Sequence, residues 1–413
     1  MSDGPEFLSQ YKGLRQEIYV LFFGRIVTNL GSMVWPMLTM IMSQKLGMNA
    51  STIAVVMVLA GVIMVPANLL GGKLADKYNK KNIIVRFDIV SIVCYIACGL
   101  VPLSVATIAL MLVAGVAQNL EGPAYNSLLA DLTTTADRGK AYSLMYLGAN
   151  LGLVLSPTIA GLLFKNFLWL SFIISGVAIG CSTVLIQFKI KDITPVEDTS
   201  EESVYQQARS DVSILTVLRE NKVVVLFTVA IALYYAAYGQ YSYLMPLDMG
   251  QIHGEDGAAL YGTVSSLNCI VVVLFTPVIT KIFQKIIDTK KILMGQGLVL
   301  IGYFVFLTFL GHIPFYYVAM LLFTWGEIFT TISEGPYTST RIPASHRGRI
   351  NGFNSVLNFV FQGASQMTVG FLYDNMGSTA AWVFTIGMVA VAMALTVALI
   401  IVDRKAYPKL YQN

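Results

Sequence analysis

The chain has 413 residues, 56% of them hydrophobic and only 12% charged, with a mean hydropathy of +0.68. Soluble domains carry about 25% charged residues, so this composition excludes a water-soluble globular protein. The net charge of +4 is small, and its placement along the chain reads as membrane topology rather than as a nucleic-acid footprint.

A hydrocarbon core about 30 Å thick needs about 20 apolar residues per helical crossing. Twelve stretches qualify: 18–43, 50–75, 83–103, 106–130, 141–164, 167–188, 222–247, 258–284, 290–310, 313–338, 350–373 and 378–402. Lipid offers no partners to backbone N–H and C=O groups, so each stretch must be helical. The expected fold is an all-α polytopic membrane protein with 12 transmembrane helices in two pseudo-symmetric six-helix bundles. With the amino terminus cytoplasmic, only Lys45 and Lys165 fall outside and Arg25 lies within the first span. All other Lys and Arg fall on the cytoplasmic side, with both termini, as the positive-inside rule requires. The first 17 residues are polar and no small-residue cleavage site follows them, so no signal peptide is expected.

Span 1 carries Arg25, with Asn29 and Trp35 beyond it. Between spans 2 and 3 lies "GGKLADKYNKK" (71–81), a dense knot of charge between two apolar runs. Cys94 and Cys98 in span 3, like Cys181 and Cys269, read as small apolar residues. No His or acid accompanies them, and no metal site is expected. Span 4 holds Gln118 and Asn119 followed by Glu121. At about 1.5 Å per residue, Arg25 and Glu121 reach similar depth, and an ion pair between them is expected. Span 5 contains "GLVLSPTIAG" (152–161), with small residues that permit close helix approach and a Pro that bends the helix.

Residues 189–221 are polar and acid-rich, a cytoplasmic linker. It separates an amino-terminal bundle (1–188) from a carboxyl-terminal one (222–413). The halves echo each other. "EGPAY" (121–125) recurs as "EGPY" (334–337), "RGKAYS" at 138 recurs as "RGRING" at 347, and Pro66 and Pro277 each precede a basic hairpin by the same spacing. Internal duplication of this kind marks secondary transporters, with substrate held near the midplane.

Span 7 carries Tyr234, Tyr235, Tyr238, Tyr241 and Tyr243; 234, 238 and 241 share a helical face. Such a face suits lipophilic cations through cation–π contact, and equally suits an interfacial aromatic belt. Span 10 holds Trp325 and, near mid-membrane, Glu327. Glu334 lies closer to the cytoplasm, with Arg341 two turns on as a candidate partner. Ionisable residues within spans are costly and functional by default.

These motifs resemble the major facilitator superfamily. In "GGKLADKYNKK", Gly72, Leu74, Asp76, Lys77, Lys80 and Lys81 match its loop between spans 2 and 3. Asn79 stands where Gly is usual, at a position expected to need a left-handed turn, which Asn tolerates. The resemblance implies that Asp76 and the basic residues, with Arg138, form a cytoplasmic gate. Gly152, Pro157 and Gly161 match the antiporter pattern of span 5, with Ser156 and Ala160 in place of glycines. "FTWGEIF" (323–329) is similar to the Gly-Glu-Ile of proton-coupled multidrug antiporters, which assigns proton coupling to Glu327. Span 4 lacks the usual Arg, and span 7 lacks a midplane acid.

No nucleotide-binding loop, catalytic triad or dinucleotide fingerprint is present, so no enzyme activity and no cofactor are expected. The expected function is proton-coupled efflux of amphipathic or cationic small molecules by alternating access. The proton-coupling candidates are Glu327, Glu121 and Glu334. The cavity candidates are Arg25, Asn29, Gln118, Tyr234, Tyr238, Tyr241 and Trp325. A symporter, uniporter or lipid translocator is the alternative, and a non-transporting membrane sensor the remote one. Partners would be substrate, protons and membrane lipids, with the chain a monomer in a bacterial cytoplasmic membrane.

Overall fold

The computed structural model describes residues 11–411 except 12, 134, 191–221 and 342–343. Among them there is no strand. The helices are α1 (Gln16–Gly31), α2 (Ala50–Lys77), α3 (Lys80–Leu100), α4 (Val105–Asp131), α5 (Thr135–Phe164) and α6 (Leu168–Lys189), then α7 (Lys222–Tyr238), α8 (Tyr241–His253), α9 (Gly257–Ile282), α10 (Asp288–Thr308), α11 (Ile313–Arg341), α12 (Ala344–Met376) and α13 (Ser378–Ala406). The all-α membrane class follows directly. Of the expected linker, residues 191–221 lie outside the described residues, and Lys189 closes α6.

Ten stretches are long and apolar enough to cross a membrane, by length and composition. One of them, Lys222–Ile282, runs 61 residues through α7, α8 and α9 and so contains two of the expected spans. α12, although 33 residues long, is not among the ten. The expected twelve crossings are therefore not all reached on this measure, because α12 is rich in Asn, Gln and Ser.

Two expected spans are broken helices. Beyond Gly31, span 1 continues as a 3-10 turn (Ser32–Val34), a short α turn (Leu38–Met40) and a π turn (Ile41–Lys45). Pro36 supplies the cause, since it can donate no helical hydrogen bond. Span 7 breaks at Gly239–Gln240. There Gln240 Nε2 donates to Ala236 O (2.9 Å) and to Ser365 Oγ (2.9 Å), while Tyr303 Oη donates to Ala237 O (2.9 Å). The side chains thus satisfy carbonyls that the break leaves open.

The chain forms two compact units. The first comprises Met1–Gly47, Leu59–Ser200 and Ala258–Cys269; the second comprises Met48–Val58, Glu201–Gly257 and Ile270–Asn413. The start of α2 thus groups with the second unit, and the first part of α9 with the first. In the first unit, Ile18, Leu21, Ile84, Leu128, Leu144 and Ile186 form a buried apolar core. In the second, Val223, Phe227, Ile231, Ile292, Tyr337 and Leu399 do so, with Phe227 stacked on Tyr337 at 4.1 Å. Large apolar side chains such as Leu69, Val93, Phe188, Leu274 and Phe371 face outward, which suits contact with lipid tails.

The 71–81 hairpin departs from expectation in two ways. Among the described residues none other than Gly has positive φ; Asn79 is extended (φ −60°, ψ 119°) and caps α3, its Oδ1 accepting from Asn82 N–H (3.1 Å). The position thus needs a capping side chain and no left-handed turn. The glycine that matters is also not Gly72, where a Cβ would meet nothing within 4 Å. At Gly71 a Cβ would lie 2.2 Å from Leu120 O, so only Gly lets α2 press on α4 there.

Candidate functional site

In the second unit the helix α7 turns its tyrosines toward the acids of α11. Tyr235 Oη donates to Glu334 Oε2 at 2.7 Å, and the Tyr238 hydroxyl hydrogen-bonds Glu327. Tyr234, fully buried between them, faces Thr330 but closes no hydrogen bond of good geometry. Phe323 completes the aromatic wall, stacking on Tyr238 at 4.8 Å and meeting Tyr241 at 4.7 Å and Tyr303 at 5.5 Å. Trp325 lies 5.8 Å from Phe275, and its Nε1 has no partner. A half-buried carboxyl set beside a run of π faces is an environment that attracts an organic cation. Of the predicted tyrosines, Tyr234, Tyr238 and Tyr241 gather here. Tyr235, about 100° round the helix from Tyr234 and so off the predicted stripe, also meets an acid, Glu334. The predicted stripe left Tyr235 out because its partner, Glu334, stands on another helix, which spacing along α7 does not reveal.

Arg341 is not the partner of Glu334. Its guanidinium pairs with Asp403 of α13 through Nε (2.7 Å) and a terminal nitrogen (2.7 Å). Both side chains are buried, at 2% and 0% exposure. Tyr337 stacks against the guanidinium at 4.0 Å, and Tyr411 Oη donates to Asp403 Oδ2 at 2.7 Å. Burial pushes the Tyr411 phenol up to about 12, so it remains a donor at physiological pH. The fork geometry of Arg suits a carboxylate better than a distant Glu on its own helix could.

In the first unit the expected Arg25–Glu121 ion pair does not form. Gly24 presses α1 on α6, where a Cβ would lie 2.9 Å from Ser182 Oγ. The next residue turns about 100° away, so Arg25 is exposed. It lines a cavity of about 210 Å³ with Tyr125, Asn126, Tyr142 and Tyr146. Its charge still acts on Glu121 through space. The group that contacts Glu121 is Asp88 of α3, which the motifs did not single out. Asp88 and Glu121 are buried, at 3% and 6% exposure. Asp88 Oδ2 also meets Thr183 Oγ1 at 2.7 Å. Asp88 lies a few residues inside span 3, and a full tally of in-span acids would have found it.

Asn29 Nδ2 donates back to Arg25 O (2.9 Å), and Asn29 packs where a Cβ on Gly152 would sit, 2.7 Å away. Gln118 hydrogen-bonds Tyr95, whose hydroxyl accepts from Trp35 Nε1 at 2.7 Å. Asn29 is thus held within α1, and Gln118 joins a polar cluster with Tyr95 of α3 and Trp35 beyond α1. Further along α5, a Cβ on Gly161 would lie 2.4 Å from Ala258 O, and one on Gly262 would lie 2.3 Å from Pro157 O. Thr158 Oγ1 hydrogen-bonds Ser266 Oγ at 2.8 Å. Among the hairpin residues, Asp76 and Lys77 are exposed, Lys80 forms an ion pair with Asp131, and Lys81 Nζ donates to Ile190 O at 2.7 Å. The side chain of Arg138 lies outside the described residues.

The relatives of the chain agree with this architecture. The Major Facilitator Superfamily model matches residues 21–365. The MFS-type transporter YqjV of Bacillus subtilis is 26% identical over 315 residues, covering 74% of this chain and 73% of its own. A Na(+), Li(+), K(+)/H(+) antiporter of Planococcus maritimus is 22% identical over 347 residues, covering 77% and 80%. Among solved structures, a POT family transporter in complex with 5-aminolevulinic acid superposes with TM-score 0.77 at 17% identity, over 97% of each chain. A point mutant of the nucleoside transporter NupG gives 0.72 at 14% identity, over 92% of this chain and 99% of its own. These two structures share its fold. With a family model spanning most of its length and helices that follow the same plan, the chain belongs to the major facilitator superfamily.

Proposed function

We propose that the protein is a proton-coupled secondary transporter that exports amphipathic or cationic small molecules by alternating access. The observation that carries this reading is the wall of Tyr234, Tyr238, Tyr241 and Phe323 built around Glu327. An aromatic wall holds a lipophilic cation, and a carboxyl within it supplies the charge that the cation neutralises. A proton arriving on Glu327 removes that charge and weakens the cation's hold; release of the proton restores it. The close packing of Gly161 and Pro157 of α5 against α9 fits the antiporter reading of that segment.

The test uses purified protein in liposomes with an imposed pH gradient and a fluorescent lipophilic cation. Wild type is expected to move the dye against its gradient, and Glu327→Gln to abolish that movement. Dye that never responds to the pH gradient in wild type would overturn the reading. The Planococcus relative favours a second reading, exchange of alkali cations for protons. The same liposomes distinguish it: Na⁺ or K⁺, rather than the dye, would then dissipate the pH gradient.

A further inference from the structure

We propose that Asp88 and Glu121 together form a site for one exchangeable monovalent cation in the first unit. It deepens the transport reading by adding a second cation station, built from different helices than Glu327. Asp88 of α3 and Glu121 of α4 are both buried and lie within side-chain hydrogen-bonding reach of each other. Two carboxylates in contact do not both stay ionised without a compensating cation. Arg25 contributes one positive charge from the cavity side, without forming an ion pair. Two negative charges against one positive leave room for a single cation.

The hydrogen bonds ask for the same thing. Thr183 Oγ1 meets two acceptors, Asp88 Oδ2 at 2.7 Å and Ile179 O at 2.8 Å, with one proton to give. The Asp88–Glu121 contact needs another donor, since ionised carboxylates only accept. Glu121 Oε2 is buried and accepts no hydrogen bond at all. An unpartnered buried carboxylate oxygen is expensive, and a cation seated beside it removes that cost. The other groups facing the pair are Tyr125 of α4, one turn from Glu121, and Ser182 of α6, with which the Tyr125 hydroxyl is in contact. Tyr125 and Arg25 both line the cavity of about 210 Å³, so the two groups that act on the pair also border open space. The ligand chemistry is a single positive charge small enough to sit between carboxyl oxygens, whether a proton or an alkali ion.

The test is infrared difference spectroscopy of the purified full chain, titrated in pH with choline chloride as the only salt, then repeated with NaCl at equal ionic strength. Wild type should show a protonated-carboxyl band that is lost in Asp88→Asn, lost equally in Glu121→Gln, and lost no further in the double variant. That non-additivity marks one shared cation. Glu327→Gln should keep the band, so its survival is independent of whether Glu327 drives transport. Loss of the band on adding NaCl, with release of a proton, identifies an alkali ion as a second occupant; a band indifferent to NaCl identifies a proton alone. Arg25→Gln removes the exposed positive charge that acts on Glu121, and the band should then persist to more alkaline pH. A band that survives in either carboxyl variant, or that ignores Arg25→Gln, overturns the proposal.

Discussion

Tyr235 is the donor on which Glu334 relies, at 2.7 Å. A hydrogen bond to a charged group contributes about 1.5–3 kcal/mol. If Glu334 takes part in the transport cycle, Tyr235→Phe should slow dye export roughly tenfold or more, since about 1.4 kcal/mol is a factor of ten. Initial rates in the liposome assay measure this, and a rate equal to wild type would restrict Glu334 to a structural role. Asp403 carries a heavier load, as the partner of the buried Arg341 and the acceptor for Tyr411. Removing one member of a buried pair leaves an uncompensated charge and costs roughly 3–5 kcal/mol. Asp403→Asn should therefore lower the melting temperature in detergent markedly, whereas a change at the exposed Arg15–Glu17 pair should be nearly silent. A small, equal effect of both would contradict the burial argument.

Individual helices test how the motifs work. Asn79 caps α3 through its side chain, so Asn79→Ala should cost about 1 kcal/mol and Asn79→Gly only a few tenths. Had the position needed a left-handed turn, Gly would have been the better residue there; thermal unfolding of the two variants separates these cases. This hairpin also shows what was legible before the fold was known. Apolar run length placed the helices, because it depends only on local composition. The breaks at Gly31–Ile41 and Gly239–Gln240 were not legible, because partners distant in sequence, Ser365 and Tyr303, stabilise the second of them. The site was half legible for the same reason. Glu327 and the tyrosine face could be read from spacing along single helices. The Asp88–Glu121 contact and the Arg341–Asp403 pair depend on which helices become neighbours, and no periodicity carries that.

At the scale of the whole molecule, α12 stands apart. It is fully helical yet not among the stretches apolar enough to cross by themselves. Its polar side chains find partners within the second unit: Asn354 Oδ1 accepts from Thr228 Oγ1 at 2.9 Å, and Ser365 Oγ accepts from Gln240 Nε2 at 2.9 Å. Those partners lie on the broken seventh span, so they satisfy α12 only once it has packed there. Insertion during synthesis is decided largely by the hydropathy of each emerging segment, so α12 has little drive to leave the translocon alone. It should enter the bilayer only together with α13, the strongly apolar helix that follows. A chain stopped after Met376 should leave a glycosylation tag at its new end on the side where α12 begins, while one extended through Ala406, with the tag between α12 and α13, should carry that tag across. The side chains that the finished protein needs to steady its broken seventh span thus make α12 the segment whose entry into the membrane must wait for its neighbours.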